Sequence, residues 1–101
     1  MPRRILVTGS EGFVGRVLCR HLAEAGHTVI GCDRHVLENA PGRLACDLAQ
    51  PDAVDALLDW AGPVDAVIHL AAITFVPEAA EDPCGVIDIN LKASVRLMTT
   101  L

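Results

Sequence analysis

Apolar positions along the chain follow two alternating rhythms. Arg4, Ile5, Leu6, Val7 and Thr8 form a short β-branched and apolar run, which predicts a strand buried on both faces, as in a parallel sheet. From residue 13 to residue 25 the spacing becomes helical, with Val14, Val17, Leu18, Leu22 and Ala25 on the expected inner face. Gly26 stands where a left-handed cap would close that helix. Residues 28–33, Thr-Val-Ile-Gly-Cys-Asp, restore the buried-strand pattern and end on a carboxylate. Strand, glycine turn, helix and strand make a βαβ unit of about 30 residues, and the right-handed crossover rule makes its strands parallel.

A polar stretch with Asn39, Pro41 and Gly42 then leads to a short third strand from Arg43 to Cys46, with Asp47 and Leu48 at its carboxyl end. Pro51 and Asp52 open a second helix that turns Val54, Leu57 and Leu58 inward, and Gly62-Pro63 stops it. Residues 66–70 predict a fourth strand running into Ala71 and Ala72, followed by a loop through Phe75 and Pro77. Asp82 before Pro83 predicts an N-cap with proline at the first helical position. Val86, Ile87, Asn90, Ala93, Ser94, Leu97 and Leu101 continue at helical spacing. Strands alternating with helices predict an α/β doubly wound parallel sheet with strand order 3-2-1-4. About four strands are present where a full domain of this class has more. The expected unit is therefore the amino-terminal portion of a domain, spanning 1–101, with the outer edge of strand 4 open to a second copy or another chain.

Composition narrows the class of partner. The chain is 51% apolar and 21% charged, enough for one compact unit. Its formal charge of −5, with no Lys/Arg cluster beyond Arg3 and Arg4, argues against nucleic acid or an anionic membrane as a partner. No apolar run approaches the ~18 residues of a membrane span, and the chain enters a strand pattern directly, so the expected location is the cytoplasm. Cys19, Cys32, Cys46 and Cys84 show neither a C-x-x-C pair nor zinc-like spacing with histidine, and are expected to be reduced and mostly structural. His21, His27 and His35 lack a shared helical face or partner cysteines, which argues against a metal site.

The chemistry concentrates in Thr8-Gly9-Ser10-Glu11-Gly12-Phe13-Val14-Gly15, immediately after a strand and at the start of a helix. Gly9 permits the tight turn, Gly12 lets a diphosphate approach bare backbone, and Gly15 lets the helix pack closely on the sheet. The helix start, at Phe13 and Val14, offers unsatisfied N–H groups and the positive end of the helix dipole to an anion. Asp33 lies 18 positions after Gly15, close to the separation at which a carboxylate at the tip of strand 2 binds adenosine ribose hydroxyls. That carboxylate favours NAD over NADP, whose 2′-phosphate would bring roughly two negative charges towards it. Arg34 is either a counter-cation for such a phosphate or a loop residue stacking near the adenine.

These residues resemble the NAD-dependent epimerases/dehydratases, within the extended short-chain dehydrogenases/reductases. Thr8-Gly9 to Gly15 resembles that family's T-G-x-x-G-F-x-G, with Phe13 between the second and third glycines. Asp47-Leu48 is similar to its acidic pair at the adenine, and residues 65–72, Asp-Ala-Val-Ile-His-Leu-Ala-Ala, to its fourth-strand signature. The resemblance implies that Leu70, Ala71 and Ala72 run beside the ribose and nicotinamide side of the cofactor. Residues 88–94 resemble the helix that carries an asparagine, here Asn90, near the cofactor, although Ala93-Ser94 stands where the family usually has Gly-Thr. The family's activity would be hydride transfer to and from NAD during epimerisation, dehydration or reduction of a nucleotide sugar or related small molecule. Its catalytic Tyr-x-x-x-Lys is not carried by these residues, which hold no tyrosine and a single lysine, Lys92. The expected function is accordingly the NAD-binding portion of such an enzyme, and the alternative is a non-catalytic NAD-binding or regulatory module that pairs with another chain.

Elsewhere the pattern favours structural roles. His69 is expected to be a buried, hydrogen-bonded histidine rather than a general base. Thr74 either donates to the cofactor or caps its own turn. Trp60 is expected to pack, with Asp55 and Asp59 on a solvated face.

Overall fold

A computed structural model describes residues 2–36, 41–72 and 80–100, so the expectations for Asn39, Thr74, Phe75, Pro77 and Leu101 lie outside the described residues. The order of elements is β1 (Arg4–Thr8), α1 (Phe13–Glu24), β2 (Thr28–Asp33), β3 (Arg43–Ala45), α2 (Ala53–Ala61), β4 (Ala66–His69), α3 (Pro83–Ile87), a π-helical turn (Asp88–Lys92) and α4 (Ala93–Thr100). The four strands form one parallel sheet in the order β3-β2-β1-β4. That is the predicted fold class and order, with strand ends shifted by one residue at Cys46 and Leu70.

Alternation along β1 divides the core. Leu6 faces α2 and α4, where it joins Ile30, Cys32, Leu48, Val54, Leu57, Ala61, Ile89, Ala93 and Leu97 in one cluster. Ile5 and Val7 point the other way and pack with Cys19 of α1, flanked by Leu18, Leu22, Val29 and Ile68. Both faces of a parallel strand are thus covered, which is why its sequence shows a continuous apolar run instead of an alternation. Burying a side chain such as Leu57, which is fully enclosed, stabilises the fold by about 1.5–3 kcal/mol.

Several turns follow directly from glycine and cap chemistry. Gly26, Gly42 and Gly62 all take positive φ, and Gly62 ends α2 as expected. At α3 the Asp82 carboxylate accepts the Gly85 N–H at 3.0 Å, with Pro83 at the first helical position. A side chain at Gly85 would collide with that carboxylate, so the cap depends on both residues.

Three expectations about helix faces are corrected. Val14, Val17 and Ala25 were expected inside but are exposed, Val14 and Val17 by 60% and 43%, because the face of the sheet that α1 covers narrows to Leu18, Cys19 and Leu22. Trp60 stands 39% exposed at the end of α2 rather than packed, since Leu57 and Ala61 occupy the inward positions. Beyond Pro83 the inward face is Ile89, Ala93 and Leu97, while Ile87 and Asn90 face outward. The cause is the π-helical turn, whose wider hydrogen-bonded ring shifts the phase set by regular helical spacing.

Candidate functional site at the carboxyl end of the sheet

The carboxyl ends of β1, β2 and β4 meet at the glycine turn, and the turn is fixed from three sides. The Gly9 and Ser10 N–H groups both donate to the Cys32 carbonyl, at 2.8 and 3.2 Å, which ties the turn to β2. Gly9 has φ of +71°, and a Cβ there would sit 2.9 Å from backbone atoms of Leu70 and Ala71. Ser10 is buried over Gly31, where any side chain would strike the serine Cβ at 2.6 Å. A glycine inside a strand signals such a close approach, and Gly31 was the clue available in the sequence.

Gly12 caps α1 in extended geometry, and no side chain caps the helix. The first-turn N–H groups of Phe13, Val14 and Gly15 therefore have no side-chain acceptor at the cap, which suits an anion. A Cβ on Gly12 would find only the Gly9 carbonyl oxygen, at 3.4 Å, so the space beside it belongs to the cleft. Gly15 differs in role from the expectation. Its missing side chain makes room for the Gly9 carbonyl and Ser10, so it packs the helix start against the turn itself rather than onto the sheet.

Asp33 closes the opposite side. Its carboxylate accepts the Glu11 N–H at 3.0 Å and the His35 N–H at 2.9 Å, joining the glycine turn to the end of β2. Arg43 bridges to Glu11 at 3.5 Å, which places a second cation besides Arg34 on this side of the molecule. Asp47 turns back to accept the Ala49 N–H at 3.0 Å, and Leu48 is buried beneath it.

Behind the turn, Thr8 and His69 end adjacent strands in register. Thr8 Oγ1 lies 2.6 Å from His69 Nδ1 and accepts the N–H groups of Leu70 and Ala71 at 3.0 and 3.1 Å. His69 Nε2 lies 3.0 Å from Ser94 Oγ on α4. Burial holds the His69 pKa below its ordinary value, which favours the neutral ring.

One cleft gathers Gly9, Gly12, Asp33, Arg34, Asp47, Leu48, Leu70, Ala71 and Ala72. Of the remaining candidates, Gly15 is buried behind it, while Phe13 and Val14 expose their side chains outward, Phe13 by 92%. Asn90 is not on its wall, and the buried Ile89 is, because of the π-helical turn. The cleft also holds His35, Cys32 and Cys46, which sequence reading did not single out. The signal was present: Cys-Asp occurs at 32–33 and again at 46–47, each at the end of one of two neighbouring parallel strands.

A parallel sheet with a glycine turn, an uncapped helix start and an acidic residue at the tip of β2 defines a dinucleotide-binding α/β protein. The chain belongs to the NAD dependent epimerase/dehydratase family, whose family model matches residues 5–101. It is 43% identical over all 101 residues to the GDP-6-deoxy-D-mannose reductase of Pseudomonas aeruginosa, of which it covers 30%. Among solved structures it resembles a short-chain dehydrogenase/reductase superfamily protein from Agrobacterium tumefaciens with bound NAD, at TM-score 0.77 and 30% identity. That match covers 95% of this chain and 28% of the other. It also resembles the Thermus thermophilus UDP-glucose 4-epimerase in complex with NAD, at TM-score 0.77 and 26% identity, over 95% of this chain and 32% of that one. The chain thus spans about a third of the length of these relatives. Among the described residues, no helix is long and apolar enough to cross a membrane.

Proposed function

We propose that this chain binds NAD in the cleft at the carboxyl end of its sheet, as the cofactor-binding portion of an enzyme that acts on a nucleotide sugar or related small molecule. The observation that carries the reading is the open space at Gly12 beside a helix start with no side-chain cap, facing Asp33 across one cleft. Gly12 and the N–H groups of Phe13, Val14 and Gly15 would hold the diphosphate. Asp33 would accept ribose hydroxyls, Asp47 and Leu48 would flank the adenine, and Leu70, Ala71 and Ala72 would line the path towards the nicotinamide. Bound NAD supplies a hydride acceptor and donor.

Titration calorimetry of the full-length protein with NAD tests this reading. Gly12→Val should abolish the binding heat, and an unchanged isotherm would overturn the placement. NAD is favoured over NADP because a 2′-phosphate would meet the Asp33 carboxylate. The catalytic tyrosine that the family resemblance implies is not among these residues. The outer edge of β4 has no strand partner among the described residues, and Leu91, Val95 and Met98 are exposed on the following helices. Each is a surface that a further part of the polypeptide, or a second chain, would cover.

A further inference from the structure

Two of the four cysteines meet at the Asp33 end of the cleft. Cys32 pairs in register with Leu44 of β3, which brings Cys46 two residues along the neighbouring strand. The Cys46 N–H donates to the Asp33 carbonyl at 3.1 Å, so the ladder continues past β3 and holds Cys46 beside β2. Cys32 and Cys46 stand on the same face of the sheet, Cys46 packed against the core cluster that holds Cys32, and the Cys46 thiol points at the Ala53 carbonyl, 3.9 Å away. Cys32 is buried, Cys46 is half-buried, and both line the cleft. Cys19 lies on the other face of the sheet against Ile5 and Val7, and Cys84 is exposed on α3.

We propose that Cys32 and Cys46 form an oxidisable dithiol, which a peroxide-class oxidant converts to a disulfide that closes the cleft to the adenosine half of a dinucleotide. The second half of that statement rests on the cofactor reading above; the first does not. Cys46 is the attacking group, because it is the half-buried thiol of the two and the Cys32 side chain holds it below the ordinary range, while Cys46 and burial raise the buried Cys32. The Cys46 thiolate attacks one peroxide oxygen, the O–O bond breaks, and sulfenic acid and one water result. Cys32 sulfur then attacks the sulfenic sulfur, forming the S–S bond as the S–O bond breaks and a second water leaves. Two thiols have lost two protons and two electrons, and the peroxide has become two waters.

The cross-link acts on the cleft through its neighbours. Closing two thiols placed diagonally on neighbouring strands to an S–S bond of ~2.05 Å must draw β2 and the segment after β3 together. The Cys32 carbonyl anchors the Gly9 and Ser10 N–H groups, and Cys46 directly precedes Asp47. Movement of this pair therefore reaches the glycine turn, Asp33 and Asp47 at once.

The test treats the full-length protein with stoichiometric hydrogen peroxide and reads intact mass, peptide mapping and NAD affinity. The expected result is a loss of about 2 Da assigned to a Cys32–Cys46 linkage. NAD affinity should fall at least tenfold, with recovery by dithiothreitol. Cys32→Ser and Cys46→Ser should each abolish the mass loss, and Cys84→Ser should keep it. Gains of about 16 or 32 Da without a linkage, or a linkage between other cysteines, would overturn the dithiol on wild-type protein alone. A Cys32–Cys46 linkage with unaltered NAD affinity would overturn its effect on the cleft. Reduced protein that binds no NAD would sink the cofactor reading instead, and with it that effect, leaving the mass result to decide the dithiol.

Discussion

Thr8 Oγ1 donates to His69 Nδ1 across 2.6 Å, and the direction of that bond is fixed by what else the hydroxyl does. Its two lone pairs accept the Leu70 and Ala71 N–H groups, so its proton is left for the ring nitrogen. Nδ1 is then the acceptor, Nε2 carries the ring proton and donates to Ser94 Oγ, and Ser94 donates to the Asn90 carbonyl at 3.3 Å. One directional chain links β1, β4 and the last helix behind the cleft. Thr8→Val keeps the shape and removes the relay, leaving the Ala71 N–H and Nδ1 without this partner. The expected loss is about 1–3 kcal/mol in denaturant unfolding, and Thr8→Ser should recover most of it. Equal stability of Thr8→Val and wild type would show the relay to be energetically idle.

The same geometry sets a pH dependence. Burial holds folded His69 below its ordinary value of 6.5, and a second ring proton would face the Thr8 hydroxyl that already donates to it. Between the folded and unfolded values the unfolded chain binds more protons, so stability rises with pH there. The contribution of the neutral ring is complete above about 6.5 and fades as pH falls towards the folded value. Denaturation midpoints taken from pH 7.5 down to 5 should decline in the wild type and decline less in His69→Gln. Parallel curves for the two proteins would remove His69 as the cause.

Three glycines of one turn should respond differently to substitution. Gly12 has φ of −74° and ψ of 175°, which any residue adopts, and the protein leaves room for its Cβ. Gly12→Val should therefore stay within about 1 kcal/mol of wild-type stability while losing NAD binding. Gly15→Ala forces a methyl into the Gly9 carbonyl, and Gly9→Ala combines positive φ with backbone collision at Leu70 and Ala71. Each should lose about 1–3 kcal/mol in chemical denaturation. If Gly12→Val were the least stable of the three, the division between ligand space and packing space would be wrong.

The βαβ unit, the sheet order and most of the cleft were legible in the chain because each rests on local signals in the right order. Buried strands read as apolar runs, Gly26 and Gly62 marked helix ends, and Asp82-Pro83 marked a helix start. The glycine turn identified its own cleft, since Gly9, Gly12 and Asp33 have to converge wherever two parallel strands flank such a turn. What escaped depends on phase and on pairs. The π-helical turn moved Ile89 onto the cleft wall in place of Asn90, and helical periodicity cannot announce an inserted residue. Cys32 and Cys46 are 14 positions apart and meet only through the β2–β3 register. Ser10 and Gly31 are likewise a pair, intelligible only when the turn is folded over the strand.

Asp33 has an observed role and a proposed one, which a ratio of affinities can separate. Its carboxylate joins the turn to β2 through the Glu11 and His35 N–H groups, so Asp33→Ala loosens the cleft for any dinucleotide. Under the proposed placement of the cofactor it also sets a negative charge against a 2′-phosphate, so the same substitution would remove a repulsion felt by NADP alone. Loosening lowers both affinities by a common factor and leaves their ratio intact. Loss of the charge shifts the ratio towards NADP, with Arg34 and the Glu11-bound Arg43 as the cations on this side of the molecule. The expected outcome in parallel calorimetric titrations is weaker NAD binding together with a preference ratio moved by roughly tenfold, about 1.4 kcal/mol. A common weakening with no change in ratio would leave Asp33 as a structural tie and remove it as the determinant of cofactor choice.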